Sequence, residues 1–364
     1  MKFYEKHQSS YENNSLICYT LFYSLLESSQ FGYASNLIGN TVSVIDLEAN
    51  EVINTIDVGG PTFGIAITAD GSKVFAGGID YIYVIDTATN KKISEFEAYP
   101  QYSNYHVNYI CIDEKNNKIY ALATDFSASV LLSYHLENKV FISAYSEANS
   151  SFAQIVLDSS GAYGFLTDFL DTRCKKISLP YFSQVLQSTE IGSNKGITIL
   201  DDSSTLIAVQ NLINQPFGGI VKINWSNSTD TLIYNNSYPW GIVSTKNLVV
   251  FTVPLEDKII FIDTNGADQG SIDQITNPRN IVLDPQQEYV YVTSLYANKV
   301  YKVNLSSKTL EATIDVSESL WIAVGPKSKP QPPIPPVPPI PPVPPTAENL
   351  DEALNHFSNV SFQF

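Results

Sequence analysis

Basic residues are scarce in this chain of 364 residues. Lysine and arginine together number 21 against 37 acidic residues, the formal net charge is −16, and Arg173 and Arg279 are the only two arginines. Proteins that bind nucleic acids generally use clusters of lysine and arginine to displace the counterions of the phosphate backbone. The composition therefore argues against a general nucleic-acid binder, and we predict no nucleic-acid partner.

The residues and motifs that usually announce an active site are also lacking. The three cysteines, Cys18, Cys111 and Cys174, are far apart and form no CxxC pair, so we expect buried, unpaired thiols rather than disulfides or a zinc site. The four histidines are scattered, and the GxSxG, HExxH and phosphate-binding glycine motifs are missing. We predict no catalytic residue, no metal site and no cofactor.

Long hydrophobic runs are missing as well. The apolar stretch from Ser15 to Leu26, inside an N-terminal extension of residues 1–30, is shorter than the roughly 20 residues of a membrane helix. Its basic residues lie far from the apolar stretch, and no small-residue cleavage site follows. The extension is either a degraded export signal or a segment that packs on the adjoining domain. We predict no membrane span, and these residues do not assign a compartment.

Short β-type segments fill most of the remaining chain. Between Tyr33 and Phe75, four segments alternate apolar and polar residues and are separated by turn sequences such as Gly39-Asn40 and Asp70-Gly71. Two markers of this stretch recur roughly every 40 to 49 residues, the length of a four-stranded propeller blade. Each marker occurs seven times.

The first marker is an apolar segment led by isoleucine, which we interpret as the innermost strand of each blade. Its copies begin at Ile65, Ile110, Ile155, Ile197, Ile242, Ile281 and Ile322. The second marker is an apolar segment that ends in Asp, Asn or an equivalent, and its copies end at Asp46, Asp86, His135, Ser178, Asn224, Asp263 and Asn304. Because aspartate recurs at one position of the repeat, we expect it to cap a turn rather than to act as a catalytic acid.

One segment, Tyr291-Val292-Thr293-Ser294, resembles the repeat of the β-propellers named for Tyr-Val-Thr-Asn, the YVTN family. A more divergent copy of the repeat is Tyr33-Ala34-Ser35-Asn36. This resemblance implies an all-β fold of seven four-stranded antiparallel blades. Such propellers occur in surface-layer and cell-envelope proteins and are related to lactonase-like propellers, so the resemblance favours an envelope or exported location. It implies no single activity, because function on this scaffold belongs to sites and not to the fold.

The phase of the repeat predicts how the propeller closes. The chain enters at the second strand of a blade and leaves after a first strand, so Leu320 to Gly325 should supply the innermost strand of the blade that holds Tyr33 to Asp57. The predicted propeller spans residues 31–326 as one domain.

The composition changes abruptly after Pro326. Residues 327–345 are rich in proline and predict a polyproline II linker, which is either a plain spacer or, over 329–345, the ligand of a proline-recognition partner. Residues 346–364 form a tail in which Leu350, Leu354 and Phe357 would share one face of a short helix. This tail either docks on another chain or is frayed.

The best place to look for a site is the channel mouth, where each outer strand returns to the next innermost strand. The residues two positions before the innermost isoleucines are Phe63, Asn108, Ala153, Lys195, Trp240, Arg279 and Leu320. Two cations therefore flank an indole on three successive blades. Trp321 lies one position out of register, and Tyr105 and His106 lie in the long return loop before Asn108.

Cations and aromatic rings at a concave mouth predict a small anionic or sugar-like ligand, held by Lys195, Trp240, Arg279, Trp321, Phe63, Tyr105 and His106. In the alternative interpretation, both tryptophans fill the channel and the two cations pair with nearby acids. We therefore predict a non-catalytic binding or scaffold module, with protein partners or a small ligand. The alternatives are a lactonase-like hydrolase acting on a small anionic substrate at the channel and a subunit of an envelope assembly.

Overall fold

The structure is a computed structural model that describes residues 30–100, 103–125, 127–201 and 203–326. The predicted N-terminal extension up to residue 29 with Cys18, the proline-rich linker and the C-terminal tail lie outside these residues. Within them the chain forms 28 β-strands and one short 3-10 helix, Pro254–Glu256. Second and third strands, such as Val249–Val253, are buried on both faces, whereas outer strands such as Glu51–Asp57 are mostly exposed.

The strands form seven antiparallel sheets of four strands each, as predicted. From the innermost to the outermost strand, the first four blades are β28 Ser319–Pro326, β1 Gln30–Asn36, β2 Thr41–Asp46 and β3 Glu51–Asp57; β4 Ile65–Ile67, β5 Lys73–Gly77, β6 Tyr81–Asp86 and β7 Lys91–Glu97; β8 His106–Asp113, β9 Lys118–Thr124, β10 Ala128–His135 and β11 Phe141–Ala148; and β12 Phe152–Leu157, β13 Tyr163–Asp168, β14 Lys175–Ser178 and β15 Ser183–Gln187. The last three blades are β16 Gly192–Asp201, β17 Ser204–Leu212, β18 Gly218–Asn224 and β19 Thr229–Ser237; β20 Ile242–Ser244, β21 Val249–Val253, β22 Lys258–Ile262 and β23 Asp268–Ile272; and β24 Ile281–Leu283, β25 Tyr289–Ser294, β26 Lys299–Asn304 and β27 Thr309–Asp315.

The ring closes as the repeat phase predicts. Strand β28 pairs antiparallel with β1, and Tyr33 lies opposite Ala323. Each innermost strand also contacts the innermost strands of the two neighbouring blades, so the seven form a closed ring. Closure covers the inner edge of β1, which would otherwise expose unpaired backbone groups.

Apolar side chains between neighbouring blades make up the core. In one cluster Val44 of the first blade packs with Val74 of the second, and in another Phe261 of the sixth blade packs with Val292 of the seventh. The β-branched and aromatic side chains of the repeat fill these interfaces. Burial between blades is therefore what fixes the ring.

The repeated aspartates cap turns, which confirms that prediction. The Oδ1 atom of Asp46 accepts the N–H groups of Glu48 and Ala49, and Oδ1 of Asp86 accepts the N–H of Thr89 at 2.8 Å. Asp263 makes the same kind of turn. Cys111 lies in an innermost strand and Cys174 just before a third strand, and both are free thiols. Cys174 is buried as predicted, whereas Cys111 is only half-buried.

Candidate functional site

A cavity of about 250 Å³ opens where the innermost strands begin. Four of the predicted residues line it: Lys195, Trp240, Arg279 and Trp321. Lys195 belongs to β16, Trp240 and Arg279 precede β20 and β24, and Trp321 belongs to β28, so successive blades deliver these side chains. None of the described residues that line the cavity is acidic or a histidine.

The indole of Trp240 contacts both cations. The Nζ atom of Lys195 lies 4.5 Å from the centroid of this ring, and Cζ of Arg279 lies 4.1 Å from it. Aromatic faces attract cations, and the attraction grows when water is excluded. The three side chains are therefore one unit, and both cations face one small volume.

Two further rings, which sequence reasoning missed, complete this unit. Nζ of Lys195 lies 3.5 Å from the centroid of Phe169, and Cζ of Arg279 lies 5.5 Å from that of Tyr296. Both rings come from hairpins that join the second and third strands of a blade. They could not be recognised from the repeat, because hairpin residues have no constant position in it.

Within the described part of the chain, the cations lack the acidic partners that the alternative interpretation requires. Among the described residues, no carboxylate forms a salt bridge with Lys195 or Arg279 and none contributes to their pKa shifts. Burial, together with the charge of Arg279, lowers the pKa of Lys195 from 10.5 to about 8. Burial likewise lowers the pKa of Arg279, against the opposing effect of Tyr296. Two partly buried like charges thus destabilise each other.

A second buried lysine, Lys175, is compensated by nearby carboxylates, as buried lysines usually are. Lys175 is 1% exposed, and its Nζ lies 3.1 Å from carboxylate oxygens of Asp168 and Asp171 and 3.2 Å from one of Glu147. Burial disfavours the charged amine, but the carboxylates of Asp168, Asp171 and Glu147 outweigh burial and raise the pKa of Lys175. The fold therefore neutralises a structural lysine but leaves Lys195 without a carboxylate.

Threonines of the repeat hold the backbone of the site. The Oγ1 of Thr252 donates to the carbonyl of Arg279 at 2.7 Å and accepts the N–H of Gly241 at 2.8 Å. Thr167 donates to the carbonyl of Lys195 at 2.7 Å. Thr293 donates to the carbonyl of Leu320 in β28 at 2.9 Å.

Each of these threonines lies in a second strand, directly after the residue that pairs with the innermost isoleucine, and this is the position of Thr293 in Tyr291-Val292-Thr293-Ser294. The repeat threonine thus ties one blade to the mouth residue of the next. The sequence contained this signal, but only the contacts reveal its role.

Two glycines allow this close spacing. A Cβ atom at Gly196 would lie 2.6 Å from the carbonyl oxygen of Trp240, and one at Gly241 would lie 2.7 Å from that of Arg279. Neither distance leaves room for a larger residue without moving the backbone.

Trp321 forms a separate wall of the cavity. Its ring packs edge-on against Tyr109, with centroids 5.2 Å apart, and the hydroxyl of Tyr109 accepts a hydrogen bond from Nε2 of Gln154 at 3.2 Å. Burial raises the pKa of Tyr109, so this hydroxyl stays protonated. Trp321 therefore presents a fixed apolar surface while the cavity stays open.

The remaining three predicted residues do not line the cavity. Phe63 and His106 contact each other across the second and third blades, with ring centroids 5.0 Å apart. Tyr105 is only 5% exposed and packs in the core with Tyr99, because its backbone is drawn inward by a bond from its N–H to Asp80. The structure thus brings four of the seven predicted residues together.

The described residues contain no group of three or more His, Cys, Asp or Glu residues that could hold a metal ion. No helix in this part of the chain is long and apolar enough to cross a membrane.

No family model and no curated protein sequence matches the chain. Solved structures do match it in shape. A functionally unknown protein from Desulfotomaculum acetoxidans DSM 771 is 13% identical with a TM-score of 0.66, over 81% of this chain and 98% of that one. A candidate 6-phosphogluconolactonase from Bacteroides fragilis NCTC 9343 is 10% identical with a TM-score of 0.61, over 82% of this chain and 98% of that one. At such identities these similarities show the fold alone, a seven-bladed β-propeller.

Proposed function

We propose that the chain is a non-catalytic binding module whose channel mouth holds a small anionic or sugar-like ligand. The observation that carries this proposal is the pair of cations, Lys195 and Arg279, that share Trp240 in a cavity whose described lining residues include no acid. Partly buried like charges destabilise a fold unless something else offsets the cost. An anion in the cavity would offset it, and it would gain charge-assisted hydrogen bonds from both groups.

The rest of the lining suits a ligand with a polar frame and an apolar face. Trp240 and Trp321 offer ring surfaces of the kind that stack on sugars, and Asn108, Gln154 and Asn280 place side-chain amides at the same cavity. A few polar groups in an otherwise apolar pocket are typical of small-molecule sites. Sugar acids, sugar phosphates and dicarboxylates therefore fit best.

Thermal unfolding with a ligand panel tests the proposal. The panel contains sugar acids, sugar phosphates, dicarboxylates, lactones, neutral sugars and inorganic phosphate. A ligand at a hundred times its Kd stabilises the native state by about 2.7 kcal/mol, which shifts the melting temperature measurably.

Two variants and a control sharpen this test. Arg279→Gln and Lys195→Met should abolish the shift. Lys176→Met is the matched control, because Lys176 also lies over rings, 4.2 Å from the centroid of Tyr163, but does not line the cavity. A panel without any stabilising anion, or a shift that both cavity variants retain, would contradict the proposal.

A lactonase-like hydrolase is the second candidate. It is favoured by the pKa of Lys195, which falls to about 8, because an amine with a pKa near neutrality can serve as a general base. A base-catalysed opening of a lactone would then need water beside Nζ of Lys195, with Arg279 holding the anionic end of the substrate. Hydrolysis of sugar lactones above the spontaneous rate, lost in Lys195→Met, would favour this candidate. Binding without turnover would favour the binding module.

Three finer assignments belong to the same proposal. Membership in the YVTN family is supported by the repeat at Tyr291 to Ser294 and by the inter-blade bond of its threonine. The envelope or exported location and a proline-recognition partner for residues 329–345 rest on the sequence alone. Pull-down with the isolated proline-rich segment would test the last of these.

A further inference from the structure

Large apolar side chains stand exposed at the tips of the hairpins that join the second and third strands of the blades. Their exposed fractions reach 74% for Leu255, 72% for Ile38 and 71% for Tyr296. We call this set the apolar rim. Its members come from five blades and are Ile38, Leu170, Ile213, Phe217, Leu255 and Tyr296.

All of these hairpins lie at the mouth end of the propeller. Each innermost strand runs away from the mouth and the second strand returns to it, so Asp168 pairs with Phe152 and Leu212 pairs with Gly192. Tyr296 itself also lines the cavity. The apolar rim therefore lies at the mouth end on five of the seven blades, although its residues are scattered over the chain.

The opposite end of the propeller has a different surface. Aspartates cap hairpins at both ends, since Oδ1 of Asp168 accepts the N–H of Leu170 at the mouth end and Oδ1 of Asp284 accepts that of Tyr289 at the opposite end. The two ends differ in their exposed apolar side chains. Among the described residues, the large exposed apolar side chains in hairpins at that end are Val140 and Tyr181. The apolar rim is thus a property of one end and not of the whole surface.

A small free anion would explain the cations but not the apolar rim. Large exposed apolar side chains that gather at one end of a protein mark a candidate interaction surface, and aromatic residues are enriched at interfaces. The charge pattern selects the partner, because Lys195 and Arg279 line a cavity to which the described residues contribute no carboxylate. A complementary surface has one anionic group at its centre and apolar groups around it.

We propose that the mouth end docks a protein segment that inserts one aspartate or glutamate carboxylate beside Lys195 and Arg279 and lays flanking apolar side chains on the apolar rim. The central contact rests on the proposed function, since it uses the same cations. The contact with the apolar rim is independent of it. The carboxylate accepts hydrogen bonds from both cations, and the apolar contacts add area that a free metabolite lacks.

A defined peptide library tests this docking. The full chain is screened against fluorescein-labelled nonapeptides with a central glutamate flanked by Leu, Ile, Val or Phe, and against the same peptides with a central glutamine. Because a hydrogen bond to a charged group is stronger than one to a neutral group, the glutamate peptides should bind at least about tenfold more tightly by fluorescence polarisation. Equal binding of both sets would overturn the proposal.

Variants of the apolar rim separate this inference from the proposed function. Ile38→Ser combined with Leu255→Ser removes two exposed tips that lie outside the cavity lining, and Tyr181→Ser is a control at the opposite end, where that side chain is 83% exposed. The double variant should lose at least about tenfold in peptide affinity and keep its stabilisation by a small dianion such as succinate or phosphate. The control should lose neither.

The outcomes are distinguishable. If the double variant keeps its stabilisation by the dianion and binds the peptide as tightly as the wild-type protein, the docking surface is overturned and the proposed function stands. Absence of both dianion and peptide binding overturns both.

Discussion

Replacing Lys195 by methionine should make the protein more stable near neutral pH. The pKa of Lys195 falls from 10.5 to about 8 in the folded protein, and each pKa unit corresponds to about 1.4 kcal/mol, so its charged form costs at most about 3.5 kcal/mol. Solvent in the cavity reduces this cost, and the contacts with Phe169 and Trp240 return about 1–2 kcal/mol. Methionine keeps the apolar body without the charge. We expect a gain of about 1–2 kcal/mol in the free energy of unfolding at pH 7.

The gain should shrink as the pH rises. The folded protein releases the Lys195 proton near pH 8, whereas the unfolded chain keeps it to about pH 10.5. Between these values the unfolded state binds more protons, so the stability of the wild-type protein rises with pH and approaches that of the variant. Urea unfolding of both proteins at pH 7 and pH 10 measures the difference. A variant that is less stable at pH 7, or an advantage unchanged at pH 10, would refute this reasoning.

The same substitution at Lys175 should have the opposite effect. Lys175→Met would leave the carboxylates of Asp168, Asp171 and Glu147 without their shared cation. Breaking a buried ion pair by removing one partner costs about 3–5 kcal/mol. The two lysines thus form a matched pair, and shifts of the same sign in both variants would show that the carboxylates do not decide the outcome.

Three further predictions concern the ring, the site backbone and the turns. A chain that ends at Ser317 lacks β28 and should lose its native fold, whereas one that ends at Lys329 should melt like the full chain; equal melting temperatures would contradict the closure. Thr252→Val removes a buried hydroxyl that bonds two backbone groups at the mouth. It should lower the free energy of unfolding in urea by about 1–3 kcal/mol and weaken anion binding. Thr55→Val, at an exposed position, should change neither. Asp86→Ala removes a turn cap and should cost about 1 kcal/mol without affecting anion binding; an unchanged unfolding midpoint would speak against the capping role.

The fold could be predicted because the same sequence pattern of strands and turns recurs seven times along the chain. Alternating apolar residues define strands, Asp and Asn define turns, and the phase of the repeat leaves β28 as the strand that completes the first blade. These signals are local or periodic, so they survive in the sequence even where individual copies have diverged.

The candidate site was predictable only in part. Register alone placed Lys195, Trp240 and Arg279 on successive blades, and the structure brings them into one cavity. Register could not show that Tyr105 turns into the core, since burial depends on the path of an irregular loop.

The number of blades, their strands and the position at which the ring closes all follow from short-range patterns in the chain. Which cations face a carboxylate among the described residues, and which hairpin tips share one end of the propeller, depends on the tertiary structure. Lys175 and Lys195 look alike in the sequence, yet only one is surrounded by carboxylates. Closing the ring brings together residues that are far apart along the chain, and no local pattern records that proximity.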